Sequence, residues 1–181
     1  MNNQDNFLRI FTDGSCLTNP GRGGWAFVVL TKDYDLLDNG SGNVYYTTNN
    51  RMELTAVIKG IQFCIHNYPE YKRYIIYSDS TYVVDGIEGW MKGWAEKKWN
   101  GVKNTDLWKQ VHRLKFVDNL NIRAKHVRGH SGNIHNEMAD ELAGIAARRE
   151  MPNLPRLTPL EERMAMDESR NLDMEFMRRL L

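Results

Sequence analysis

The sequence predicts an α/β fold, a five-stranded mixed sheet with helices on both faces. Three observations carry that expectation: three β-type runs joined by turns open the chain, the apolar period then switches to that of a helix, and strands and helices alternate afterwards. Residues 7–12 form a short apolar-rich run closed by Asp13-Gly14-Ser15, residues 23–31 are aromatic and β-branched, and residues 43–48 make a third such run. Strands joined by turns pair as an antiparallel meander. Over residues 50–66, Leu54, Val57, Ile58, Ile61 and Ile65 line one helical stripe, and Pro69 follows its end. Tyr74-Ile75-Ile76-Tyr77 then reads as a buried strand running into Ser78-Asp79-Ser80. A short helix at 81–85, a Trp-rich helical stretch, a helix at 105–117, a strand at 121–127 and a helix at 136–148 complete the order.

The chain has 181 residues, 41% of them hydrophobic and 26% charged, with 14 Gly and 5 Pro. That profile excludes collagen-like, wholly disordered and disulfide-framework proteins, and the length suits one domain with a remainder. The expected boundary lies near Glu150. Residues 151–181 hold three of the five prolines (Pro152, Pro155 and Pro159) and five of the nine methionines, so the prolines read as a linker. Beyond them Leu172, Phe176 and Leu180 repeat as one face of a short helix. The division expected is a folded domain over 1–150 and a tail over 151–181. No apolar run approaches the ~20 residues that span a bilayer, and Met1 to Asn6 lacks the features of a signal peptide, so a cytoplasmic, membrane-free monomer is expected. Cys16 and Cys64 show no metal-ligand spacing and are expected to be reduced thiols in or near the core.

The net charge of +1 conceals an uneven distribution. Residues 90–128 carry 10 basic and 3 acidic side chains, together with Trp90, Trp94, Trp99 and Trp108, four of the five tryptophans. Basic groups interleaved with aromatics suit a surface that neutralises phosphates and lies against sugars or bases. The plainer alternative is an amphipathic helix pair whose tryptophans are core and whose lysines are solvated.

Asp13 follows the first strand and Asp79 the fourth, so neighbouring parallel strands would bring their carboxylates to one sheet edge. Unpaired carboxylates so placed repel each other unless a cation or a shared proton offsets the repulsion. Hard divalent cations such as Mg²⁺ take carboxylate oxygens, water and phosphate, and need no Cys/His pattern. Glu53 on the first turn of the long helix and Asp140 on the first turns of the last helix are candidate additions. Each acid alone also has a structural reading: Asn50-Arg51-Met52-Glu53 is like a capping box, Glu137 and Asp140 suit a helix N-terminus, and Asp13-Gly14 is a common turn.

Taken jointly, five strings outweigh those separate readings: Ile10-Phe11-Thr12-Asp13-Gly14-Ser15-Cys16, Thr47-Thr48-Asn49-Asn50-Arg51-Met52-Glu53-Leu54, Tyr77-Ser78-Asp79-Ser80, His126-Val127-Arg128-Gly129-His130-Ser131-Gly132 and Asn136-Glu137-Met138-Ala139-Asp140-Glu141-Leu142-Ala143. In this order and spacing the chain resembles a bacterial-type, type 1 ribonuclease H over about residues 7–148. The resemblance implies the ribonuclease H-like fold, whose five-stranded mixed sheet flanked by helices agrees with the order above. It also implies an endonuclease that hydrolyses the RNA strand of RNA/DNA hybrids and leaves 5′-phosphate and 3′-hydroxyl ends.

By the same resemblance Asp13, Glu53, Asp79 and Asp140 are the metal-binding, catalytic carboxylates, and His130 is the mobile histidine of the loop before the last helix. Two Mg²⁺ ions, with Mn²⁺ as a substitute, would activate water, neutralise charge at phosphorus and stabilise the leaving oxygen. Asp13 would bridge both, Asp79 and Asp140 would each share one, and Glu53 would help to hold the substrate-side site. A histidine, with a reference pKa near 6.5, suits a proton-moving role. Cys16, Asn19, Asn49 and Asn50 match positions that line the minor groove, where the 2′-hydroxyl tells RNA from DNA. The stretch from Trp90 to Lys109, with Lys97 and Lys98, corresponds to the family's basic protrusion, which grips the DNA strand. Its stretch between Trp99 and Val102 is shorter than in the best-known bacterial members, which implies a weaker grip. Thr81 stands where many relatives have an amide side chain, and residues 151–181 lie outside the resemblance. A non-catalytic hybrid-binding module would lack at least one acid, and all four are present. A resolvase or integrase core would lack the Asn-Asn-Arg-Met-Glu and Gly-His-Ser-Gly strings.

Overall fold

The computed structural model describes residues 6–149. The expected Pro-containing linker and the Leu172, Phe176 and Leu180 stripe fall outside those residues. Within them the chain runs β1 (Leu8–Cys16), β2 (Gly21–Leu30), β3 (Leu36–Thr47), α1 (Asn49–Asn67), β4 (Arg73–Ser78), α2 (Thr81–Asp85), α3 (Met91–Glu96), α4 (Thr105–His112), β5 (Asn121–His126) and α5 (Ile134–Arg148). A π-helical turn, Gly86–Trp90, joins α2 to α3, and another, Arg113–Val117, extends α4. The strands form one sheet in the order β3-β2-β1-β4-β5, with β1, β2 and β3 antiparallel and β4 and β5 parallel to β1. No helix among the described residues is long and apolar enough to cross a membrane.

Alternation along the strands divides the core between two faces. Leu8 and Ile10 of β1 and Phe27 and Val29 of β2 pack with Leu54, Val57, Ile58 and Ile61 of α1. The α1 stripe expected from the sequence is therefore the buried one, with Ile65 packed at its margin. Phe11, Val28, Leu30, Ile75 and Tyr77 face the other way and meet Ala139 of α5. Residues Tyr74 to Tyr77 are buried without interruption, as a parallel strand covered on both faces requires.

Three expectations change in detail. Strand β1 does not end at Thr12: Asp13 to Cys16 continue the ladder with β2. Strand β3 starts at Leu36, seven residues earlier than its β-branched run, through an Asn-Gly-Ser-Gly segment that reads as a turn. Cross-strand aromatics account for that extension, since Phe27 lies opposite Gly40 and Trp25 opposite Gly42, with each ring occupying the space a Cβ would fill. The capping box is also absent. Helix α1 begins at Asn49 behind Thr48, which makes no side-chain cap, and Glu53 turns to the sheet instead.

Gly24 on β2 permits a close helix contact. A Cβ there would overlap the carbonyl oxygen of Ala143 and the amide nitrogen of Ala147, so α5 lies almost on the strand backbone. Gly24→Ala is expected to lower stability by about 1–3 kcal/mol through overpacking, a Tm drop of roughly 3–10 °C in thermal unfolding. Gly93→Ala, at a helical site with nothing within 4 Å of the added methyl, is the control and should leave Tm unchanged or higher.

Candidate active site

The β1/β4 register determines where the first two acids meet. Their parallel pairing ends at Phe11 opposite Tyr77, whose rings stack 4.6 Å apart. Asp13, still within the β1–β2 ladder, and Asp79, just past the end of β4, each follow two residues later, so alternation sends both carboxylates to the same side. Gly14 admits the third acid. A Cβ on Gly14 would overlap the amide nitrogen of Glu53, and its absence lets the first turn of α1 press against β1. Carboxylate oxygens of Asp13, Glu53 and Asp79 consequently lie within 4.8 Å of one another. Asp140 comes from α5 on the other helical layer, outside that group of three but near enough for its charge to act on Asp13.

This crowding raises proton affinity. Asp13 is pushed up to about 8, first by burial and then by the charges of Asp79 and Asp140, although the Gly14 N–H donates to its Oδ1 at 2.8 Å. Burial, followed by the charges of Asp13 and Asp79, holds Glu53 well above the usual carboxylate range. Its Oε1 accepts from Asn49 Nδ2 at 3.5 Å, whereas its buried Oε2 has no protein partner. Three converging acids with one orphaned oxygen form a donor set that fits a hard divalent cation.

The other expected residues form the surroundings of that cluster. His130 is 84% exposed on the 128–133 loop, with Nδ1 3.8 Å from Asp140 Oδ2. Asn19, which precedes a cis peptide bond to Pro20, accepts from the Asn49 amide at 3.2 Å through Oδ1. Asn49 therefore links the Asn19 loop to Glu53, while Asn50 is exposed on the same helical turn. The half-buried Cys16 thiol faces the carbonyls of Thr18, Gly21 and Thr47, and Cys64 is fully buried; both are free.

The four clustered tryptophans divide by depth. Trp108 is core, donating Nε1–H to the Tyr82 hydroxyl at 2.7 Å. Trp94 and Trp99 are partly buried against that core, and Trp90 remains 45% exposed. Lys97 and Lys98 are exposed in the turn after α3. Trp108 is thus core as the plainer reading of the stretch expects, while Trp90, Lys97 and Lys98 lie at the surface.

Two residues of the quoted strings have surroundings that the sequence did not reveal. Arg51 of α1 clasps Asp106 of α4 through two hydrogen bonds, Nη1–Oδ1 at 3.0 Å and Nη2–Oδ2 at 2.7 Å, tying the Glu53 turn to the Trp-bearing helices. Asn136, buried one turn before Asp140, keeps an unpaired Oδ1. Nothing in a linear reading reveals which polar side chains are buried.

Acids gathered just beyond the end of the β1–β4 parallel pairing define an acidic, cation-seeking site on an α/β sheet. A family model described as RNase H matches residues 5–148. A curated ribonuclease H of Treponema pallidum subsp. pallidum is 40% identical over 158 residues, covering 78% of this chain and 91% of that protein. A ribonuclease HI of Campylobacter jejuni is 41% identical over 140 residues, covering 77% and 90%. Among solved structures, LC9-RNase H1, described as a type 1 RNase H with the type 2 active-site motif, superposes with a TM-score of 0.70 at 28% identity and covers 91% of this chain and 85% of its own. LC11-RNase H1 in complex with RNA/DNA hybrid shares the fold, with a TM-score of 0.61 at 21% identity over 77% and 96% of the two chains. The chain is an enzyme of the ribonuclease H family.

The raised acids make stability depend on pH. Between about pH 4 and pH 8 folded Asp13 holds a proton that the unfolded chain has released, so stability contributed at low pH is lost as pH rises through that window. In chelator, Asp13→Asn is expected to raise Tm at pH 8 by about 5 °C or more and to flatten the fall in Tm between pH 5 and pH 8. Parallel pH slopes for the two proteins would contradict the assignment.

Proposed function

We propose that this chain hydrolyses the RNA strand of RNA/DNA hybrids, leaving 5′-phosphate and 3′-hydroxyl ends. The observation that carries the reading is the convergence of Asp13, Glu53 and Asp79, with the orphaned Glu53 Oε2 among them. Family membership and the fold shared with an RNase H1 bound to a hybrid support it.

Asp13, Glu53, Asp79 and Asp140 would hold two divalent cations, Mg²⁺ or its substitute Mn²⁺, which supply water activation, charge neutralisation and leaving-oxygen stabilisation when bound. Asp13 and Glu53 must give up protons to act as ligands, so their raised proton affinity links cation loading to pH. His130, exposed beside Asp140, moves a proton during turnover or product release. Cys16, Asn19, Asn49 and Asn50 form the polar rim facing the RNA minor groove, where small groups read the 2′-hydroxyl. Trp90, Lys97 and Lys98 hold the opposing strand. The family match at residues 5–148 supports a catalytic domain over 1–150 with 151–181 as an appended tail, so a chain ended at Arg149 should retain cleavage in a direct activity assay.

The decisive assay uses uniformly labelled hybrid, duplex RNA, duplex DNA and single strands, with and without Mg²⁺. Only the hybrid should be cut, and only with the cation. Asp13→Asn and Asp79→Asn are expected to lose at least ~10³-fold in cleavage rate while hybrid binding is kept or strengthened, because less negative charge opposes the phosphates. Near-normal turnover in either variant would end the four-acid assignment. Replacing Lys97 and Lys98 by Ala should make the slope of log affinity against log salt shallower by roughly 1.5–2, about one counterion per lost phosphate contact.

A further inference from the structure

We infer that Glu137 is a positioning residue whose carboxylate holds the 128–133 loop so that His130 reaches Asp140. The inference rests on the hybrid-cleaving reading above. Two backbone conformations shape the loop: His130 adopts φ +49° and Gly132 φ +83°, the left-handed region in which glycine is least strained. Its first half sits over the acids. His126 Nε2 lies 3.1 Å from the Asp79 carbonyl oxygen, and a Cβ on Gly129 would come within 2.7 Å of Asp79 Oδ2.

The second half is anchored to α5. Ser131 Oγ donates to the Arg128 carbonyl at 2.5 Å and closes the loop on itself, while the Gly132 N–H donates to Glu137 Oε1 at 2.9 Å. Asn133 accepts from the amides of His135 and Asn136 at 3.2 Å and starts the helix. Glu137 stands three residues before Asp140, so both acids point from the same side of α5. One carboxylate therefore fixes the loop on the helix that carries Asp140. Each backbone anchor limits how far His130, otherwise solvent-exposed, strays from the 3.8 Å approach to that aspartate.

A first-turn acid also interacts with the helix N-terminus through its charge alone, and the two roles separate by substitution. Glu137→Gln removes the charge yet keeps an oxygen that can accept from Gly132; Glu137→Ala removes both. With Mg²⁺ and saturating hybrid, Glu137→Ala is expected to lower kcat about tenfold with KM unchanged within about twofold, the size of one lost hydrogen bond to a charged group. Glu137→Gln should recover most of that loss. On a His130→Ala background Glu137→Ala should cost nothing further, because the side chain it positions is gone.

Equal defects in the Ala and Gln variants, an undiminished loss on the His130→Ala background, or parental kcat in Glu137→Ala would each overturn the inference. Should Glu137→Ala melt more than about 10 °C below the parent, Glu137→Asp, which keeps the charge and shortens the reach, replaces it; full activity in that folded variant would likewise overturn it. A parent that cuts no hybrid would defeat the nuclease reading itself, whereas a cutting parent with an indifferent Glu137 defeats only this assignment.

Discussion

The parallel pairing of β1 with β4 is the constraint on which the rest of the molecule depends. Backbone hydrogen bonds and the stacked Phe11–Tyr77 pair fix a register that places Asp13 and Asp79 together, though their charges oppose it. Ladder hydrogen bonds and burial of Ile10, Phe11, Ile76 and Tyr77 outweigh that opposition because they are distributed over many residues. The repulsion is relieved locally, by proton uptake at Asp13 and Glu53 or by a cation.

Two further close approaches complete the cluster. At Gly14 the first turn of α1 comes near enough to deliver Glu53, and at Gly24 α5 lies against β2, which carries Asp140 over the opposite face. The site thus draws on both layers of helix and on the neighbouring strands β1 and β4, whose faces are buried under those helices. Polar groups around it remain incompletely paired: Oε2 of Glu53 and Oδ1 of Asn136 are buried without protein partners. Such unsatisfied groups cost stability and mark where ligand chemistry is accommodated.

The Trp-rich segment shows how one stretch of sequence serves core and surface together. Trp108 contacts Tyr82 and Trp94 edge-on, and Trp94 meets the exposed Trp90 at a tilt, so a chain of aromatic contacts runs from the interior outward. Lys98 and Trp99 both adopt left-handed backbone, which turns the chain after α3 while Trp99 packs edge-on to His112. The basic turn is in this way held through the partly buried Trp99 against α4, and the Arg51–Asp106 pair couples α4 to the helix carrying Glu53.

Element order, the buried α1 stripe and the strand Tyr74 to Tyr77 were legible in the amino-acid sequence because period and burial coincide in them. The acids stood out only as five strings in family order, since each alone fits a cap or a turn. Other features resisted a linear reading for identifiable reasons. Asp13-Gly14 looks like a turn, but β2 pairs with it, and Asn39 to Gly42 looks like a loop, but Phe27 and Trp25 supply the missing packing from across the sheet. Glu53 fits a capping box, yet its environment is set by Gly14, 39 residues away. Composition and periodicity thus determined which segments become strands and helices. Only the tertiary structure decided which side chains share a site, because proximity, desolvation and proton affinity arise from register and close approach between distant segments.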